Sequence, residues 1–131
     1  MGTRADFYIG TGTDAAWLGS VAWYGYEWEE QPYCPLMKAT TLDEFLAALT
    51  DIASNRKDWT SPDNGWPWPW PNSFTTDMTY AFVDGKTAVF HWGKLRTDPN
   101  TDGTKVCEWP DMTDKQNVTF GERSGLIVLR P

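Results

Sequence analysis

Residues 78–92 read Met-Thr-Tyr-Ala-Phe-Val-Asp-Gly-Lys-Thr-Ala-Val-Phe-His-Trp, and this stretch decides the fold. Two runs rich in β-branched and aromatic residues, 78–83 and 86–92, flank Asp84-Gly85, a dipeptide suited to a two-residue hairpin turn that needs positive φ. Strand alternation puts Thr79, Ala81, Val83, Ala88, Phe90 and Trp92 on one face and Met78, Tyr80, Phe82, Val89 and His91 on the other. Neither face is cleanly polar, so both are expected to be covered.

Two upstream segments supply the covers. The first is a helix over about 42–56, where Leu42, Phe45, Leu46, Leu49, Ile52 and Ala53 form one apolar stripe. Thr41 and Glu44 make a capping-box pattern, Asp43 stands in the first turn, and Arg56 and Lys57 lie at the end where the helix dipole favours cations. The second is Gly65-Trp-Pro-Trp-Pro-Trp-Pro-Asn72. Each tryptophan precedes a proline and is driven to extended or polyproline II geometry. The run is stiff before it packs, and it is expected to strap the hairpin face that the helix leaves open, with at least two of its three rings substantially buried.

Further out, Ala5, Phe7 and Ile9 alternate with Asp6 and Tyr8 as a strand. A second strand is expected over 16–24, with Trp17, Val21 and Trp23 on one face and Gly19 marking a bulge. Residues 25–38 read as irregular, with Pro32 and Pro35 as breakers. Beyond the hairpin, 94–105 is polar and turn-rich, and short strands are expected at 106–109, 117–120 and 125–129. The sum is an α+β fold, a single compact domain over 1–131 with a mostly antiparallel sheet and one principal helix.

The chain has 131 residues, a net charge of -7 and 15% aromatic residues, including nine tryptophans. That acidity disfavours direct binding to nucleic acid or to an anionic membrane. No apolar run reaches the roughly 20 residues of a membrane-spanning helix, and the first residues carry no signal-peptide core, so a cytoplasmic setting is expected. Asn117-Val118-Thr119 fits a glycosylation sequon, which has no meaning without secretion. Cys34 and Cys107 lie far apart in sequence, and with His91 as the sole histidine a Cys/His metal site has at most three such ligands. No metal and no cofactor are expected.

Several patterns suggest chemistry. Gly10-Thr-Gly12-Thr-Asp-Ala15 follows a strand and formally fits a dinucleotide fingerprint, but strand rhythm follows where a helix is required. His91 is a candidate general base with no nucleophile motif to serve. Paired carboxylates near Trp28 suit a glycosidase in principle. Asp98, Asp102, Asp111 and Asp114 do not have calcium-loop spacing.

The aromatic surplus is the remaining signal, because tryptophan is enriched at interface hot spots. Glu27, Trp28, Glu29 and Glu30 are the candidate contact residues, with Trp66, Trp68 and Trp70 at the rim. The expected activity is non-enzymatic protein binding through an acidic, aromatic surface, directed at a protein partner such as a basic nucleic-acid-binding complex. The alternatives are a small-ligand or carbohydrate-binding module using indole stacking and, behind it, a small hydrolase.

Gly2-Thr-Arg-Ala-Asp-Phe-Tyr8, Trp17-Leu-Gly-Ser-Val-Ala-Trp23, Gly65-Trp-Pro-Trp-Pro-Trp70, Thr76-Asp-Met-Thr-Tyr-Ala-Phe82, Trp109-Pro-Asp-Met112, Asn117-Val-Thr119 and Arg123-Ser-Gly-Leu126 together resemble a family of small uncharacterised bacterial proteins, some carried by phages or mobile elements. The chain is shorter than those relatives around residues 93–106. The resemblance implies a bacterial or phage cytoplasmic setting and no activity of its own. Taken with the small size, the acidity, the aromatic surplus and the lack of a catalytic constellation, it leads to the expectation of an inhibitor of a host defence complex, such as an anti-CRISPR protein. It carries over no catalytic residues.

Overall fold

The computed structural model describes residues 2–10, 15–70, 72–91 and 94–95. The strands are β1 (Ala5–Ile9), β2 (Ala16–Val21), β3 (Met78–Val83), β4 (Lys86–His91) and β5 (Lys94–Leu95), and the helices are α1 (Pro35–Lys38) and α2 (Leu42–Asn55). The strands form one sheet in the order β2-β1-β3-β4-β5. All neighbours are antiparallel except the central pair, β1 with β3. The α+β expectation holds, with a sheet that is mixed at its centre. The parallel pair arises because the chain leaves β2, makes both helices and the Trp-Pro segment, and returns beside β1.

The hairpin forms as its sequence dictates. Tyr80 pairs with Val89, Ala81 with Ala88 and Phe82 with Thr87, and Asp84 and Gly85 take φ of 53° and 76°, the left-handed geometry of a type I′ turn. Trp92 and the strands expected at 106–109, 117–120 and 125–129 lie outside the described residues. Lys94–Leu95 continues the sheet beside Phe90–His91, in a stretch read as turn; two residues are too few to show a period.

Both faces are covered, by different layers. Ala5, Phe7, Leu18, Val21, Met78, Tyr80 and Val89 pack toward Phe45, Ala48, Leu49 and Ile52 of α2. Tyr8, Trp17, Ala81, Ala88 and Phe90 form a second cluster that Trp66 joins. The Trp-Pro run is therefore the third layer, on the face opposite the helices. Cluster membership matches the alternation expected for the hairpin: Met78, Tyr80, Phe82 and Val89 lie with the first cluster, Ala81, Val83, Ala88 and Phe90 with the second, and His91 belongs to neither.

α2 is capped as its sequence requires. The Glu44 amide donates to Thr41 Oγ1 at 3.2 Å, and Glu44 Oε1 accepts from the Thr40 and Thr41 amides at 2.8 and 3.3 Å. Two details differ from the sequence reading. Leu42, the first residue of the helix, is exposed. Arg56 is the C-cap in extended backbone, and its guanidinium turns to Asp58 and Glu27 instead of the last carbonyls.

Strand β2 corrects a face assignment. The register with β1 slips between Phe7 and Tyr8, with Gly19 opposite Phe7 and Trp17 opposite Tyr8. The extra residue is a β-bulge, as the glycine suggested, and it turns Trp17 to one face and Val21 to the other. Gly19 is required by packing: a Cβ there would meet the Trp59 ring at 2.1 Å. Trp23 lies beyond the strand and is exposed. Pro35 begins α1 at its first position, where its missing N–H costs nothing. Among the described residues no helix is long and apolar enough to cross a membrane.

Candidate functional site: an acidic aromatic loop

The loop over 23–34 is built from its backbone outward. Asp58 accepts the amides of Ala22 and Trp23, both at 2.9 Å, and fixes its start. The Gly25 amide donates to Thr3 O at 2.8 Å. A Cβ at Gly25 would stand 2.7 Å from Ala5 Cβ and 2.8 Å from Thr3 O, so only glycine lets the loop lie against β1. Tyr80 reaches up from β3: its hydroxyl donates to Gly25 O at 2.6 Å and accepts from the Glu29 amide at 3.1 Å. Burial pushes the Tyr80 phenol well above its ordinary pKa, so it stays a neutral donor. Turn bonds from the amides of Glu27, Glu30, Gln31 and Cys34 to the carbonyls of Tyr24, Tyr26, Trp28 and Gln31 brace the loop further.

Trp28 anchors the loop in the core. It is 6% exposed and meets Phe7 and Tyr80 edge-on at 5.4 and 5.8 Å. Arg56 lies over its ring at 5.4 Å and also binds Asp58 Oδ1 at 2.9 Å, Glu27 Oε1 at 3.2 Å and Trp23 O. The Asp58 side chain is 2% exposed. Burial opposes its ionisation, but hydrogen bonds from Arg56 and from the Trp23 and Ala22 amides, with the Arg56 charge, hold its carboxyl below the usual range.

With Trp28 inside, other rings face outward. Trp23, Tyr24, Tyr26 and Tyr33 are 52%, 61%, 37% and 86% exposed. Tyr24 has φ of 53°, a left-handed conformation that a bulky residue adopts at a cost of about 1–3 kcal/mol. Tyr24 and Tyr26 meet edge-on at 6.2 Å, and a cleft of about 300 Å³ lies between Trp23, Tyr24, Tyr26, Gly2 and Thr3. The sequence reading favoured tryptophan and passed over these tyrosines. The Tyr24-Gly25-Tyr26 triplet was the available signal, since a buried turn glycine throws its neighbours outward.

The acidic residues take separate places. Glu27 pairs with Arg56. Glu29 Oε1 meets His91 Nε2 at 2.9 Å and ties β4 to the loop. Glu30 is exposed. The His91–Glu29 contact supplies an imidazole and a carboxylate; a hydrolase also needs a nucleophile within reach of the ring.

Trp66, Trp68 and Trp70 are half-buried, and each indole N–H has an acceptor. Trp66 Nε1 donates to Trp70 O at 2.6 Å, Trp68 Nε1 to Asp6 Oδ1 at 2.6 Å and Trp70 Nε1 to Thr76 Oγ1 at 2.8 Å. Trp68 and Trp70 stack at 5.7 Å, and Arg4 lies within 5.7 and 5.6 Å of the two rings. Trp66 packs edge-on against Trp17 at 5.0 Å. The run is neither a flat strand platform nor a three-way polyproline display: two rings share a side and the third turns to the sheet.

Beneath this strap lies Asp6, fully buried. Ser20 Oγ donates to Oδ1 and Ser73 Oγ to Oδ2, both at 2.5 Å. Trp17 Nε1 donates to Ser20 Oγ at 3.0 Å, and Tyr8 OH contacts Ser73 Oγ at 2.7 Å. Burial pushes the Asp6 carboxyl up, and the bonds from Ser20, Ser73, Trp68 and Thr76 pull it part of the way back. Among the described residues no group of three or more His, Cys, Asp or Glu side chains could hold a metal ion.

No family model, curated protein or solved structure matches the chain, so any functional reading stands on this geometry.

Proposed function

We propose that the chain is a non-enzymatic protein-binding protein whose acidic, aromatic 23–33 loop meets a basic partner. One observation carries the reading. Trp23, Tyr24, Tyr26 and Tyr33, four of the five exposed large hydrophobic side chains among the described residues, fall in the same segment as Glu27, Glu29 and Glu30. Tyrosine and tryptophan on a preorganised backbone offer large contact area at small entropic cost. The -7 charge steers such a face toward positive surfaces.

In the finer form of this reading the partner is a basic nucleic-acid-binding complex of a host defence system, and the chain is a phage or mobile-element inhibitor, anti-CRISPR-like, acting in the bacterial cytoplasm. Its carboxylates would lie where phosphates otherwise bind. The test is a pull-down with the immobilised chain against purified basic subunits of host defence complexes. Retention at low salt, release as salt rises and loss on Tyr24→Ala with Glu30→Lys are expected. Absence of association at low salt overturns it.

The cleft between Trp23, Tyr24 and Tyr26 favours a second reading, a small-ligand or carbohydrate module that stacks its ligand on these rings. Tryptophan fluorescence that changes on titration with a glycan or nucleotide supports it, and a flat response across the panel rejects it.

A further inference from the structure

The inner wall of the same loop borders a second surface. A groove of about 540 Å³ runs between the 27–39 segment and α2. Its floor is apolar, from Trp28, Leu36, Ala39, Ala48 and Ile52, and its rim carries Glu27, Glu44 and Asp51 against one cation among the described residues, Lys38. Ala47 and Gln31 stand exposed at its mouth.

The charges on this rim are not equivalent. Glu27 is met by Arg56 at 3.2 Å. Glu44 is held by the Thr40 and Thr41 amides and Asp51 by the Asn55 amide group. Those hydrogen bonds fix the carboxylates without cancelling their charge. Glu44 and Asp51 are seven residues apart on one helix, a rise of about 10 Å at 1.5 Å per residue. One ammonium cannot meet both. Two cationic side chains of one polypeptide segment can, with an apolar side chain between them on the floor.

We propose that this groove is the docking site for a basic amphipathic segment of the protein partner, whose apolar side chain fills the floor while flanking Lys or Arg side chains meet Glu44 and Asp51. The proposal rests on the protein-binding reading of the 23–33 loop and adds to it the chemistry of the segment recognised. Mixed apolar and ionic contact of this kind is how amphipathic segments seat in grooves generally.

The experiment titrates the full-length chain with two synthetic peptides by calorimetry and amide NMR. One carries Leu anchors between Lys and Arg residues; the other has every Leu replaced by Ser at the same charge. The Leu peptide is expected to bind at least about tenfold tighter, about 1.4 kcal/mol, with amide shifts confined to 27–38 and α2. Ala47→Arg, an exposed change to a good helix former, and Asp51→Lys are each expected to weaken it at least about tenfold, while Tyr24→Ala leaves it unchanged. Equal binding of both peptides, no binding of either, or indifference to Ala47→Arg overturns the groove. A groove that fails while the pull-down persists and depends on Tyr24 leaves the loop reading intact; a failed pull-down with a working groove overturns the loop reading alone.

Discussion

Trp68 and Asp6, 62 residues apart in sequence, meet at 2.6 Å, with the indole N–H donating to a carboxylate that has no exposure to solvent. The bond joins the middle of the Trp-Pro strap to β1, the strand between β2 and β3. Ser20 of β2 and Ser73 before β3 donate to the same carboxylate, so one side chain holds three separate parts of the chain together.

Replacing Asp6 tests that role. Asp6→Ala leaves the Trp68, Ser20 and Ser73 donors buried without their acceptor, at about 1–3 kcal/mol for each group left unpaired. The expected loss is at least about 3 kcal/mol by urea denaturation. Asp6→Asn keeps one acceptor oxygen and is expected to cost less than the alanine.

The pH dependence of that difference has a definite sign. Asp6 is raised in the fold above its ordinary value of 3.8, so the folded chain holds this proton more tightly than the unfolded one. The wild-type margin over Asp6→Asn should widen as pH falls from neutral toward 4. Asp58 is lowered, so its contribution, present above 3.8, should be lost as pH falls through its folded value. Denaturation of wild type, Asp6→Asn and Asp58→Asn from neutral pH to well below 3.8 separates the two.

Two of the strap indoles, Trp68 and Trp70, should differ when changed to phenylalanine. Trp68→Phe removes a donor to a buried carboxylate, a loss of about 1.5–3 kcal/mol. Trp70→Phe removes a bond to the neutral Thr76 hydroxyl, about 1 kcal/mol. Thermal melts of the two variants give the order, and equal losses would count against an ionic Asp6.

Gly25→Ala drives a methyl into Ala5 Cβ and Thr3 O. Overpacking of this kind costs about 1–3 kcal/mol. It should also lift the loop bearing Tyr24 and Tyr26 off β1, read as loss of the Tyr80 contacts in NMR and weaker partner retention in the pull-down.

What the sequence made legible depended on how local the determinant was. Asp84-Gly85 sets a hairpin in two residues, Thr41 and Glu44 cap a helix within one turn, and the two-faced hairpin required a cover on each side. The buried place of Asp6 was not legible. Alternation on β1 sets it apart from Phe7 and Ile9, and only the strap arriving from residues 66–76 turns that polar side inward. Trp17 and Val21 part company at a bulge that a periodic pattern cannot register. Pro35 reads as a breaker because its ring forbids a helix interior, yet it is tolerated at a helix start. At the site, Glu27, Glu29 and Glu30 lie in the loop as expected, but Trp28 enters the core and tyrosines take the outer positions, because Phe7, Tyr80 and Arg56 enclose the indole.

The proline positions of the strap have a spectroscopic consequence. Pro67, Pro69 and Pro71 carry no exchangeable amide proton, so amide hydrogen exchange reads this layer poorly. Its clocks are the side-chain protons on Trp66, Trp68 and Trp70, each bound to a different acceptor. Deuterium should enter them at separate rates if the layer peels from one end, and at a single rate, that of global unfolding, if it leaves the sheet only when the whole domain opens.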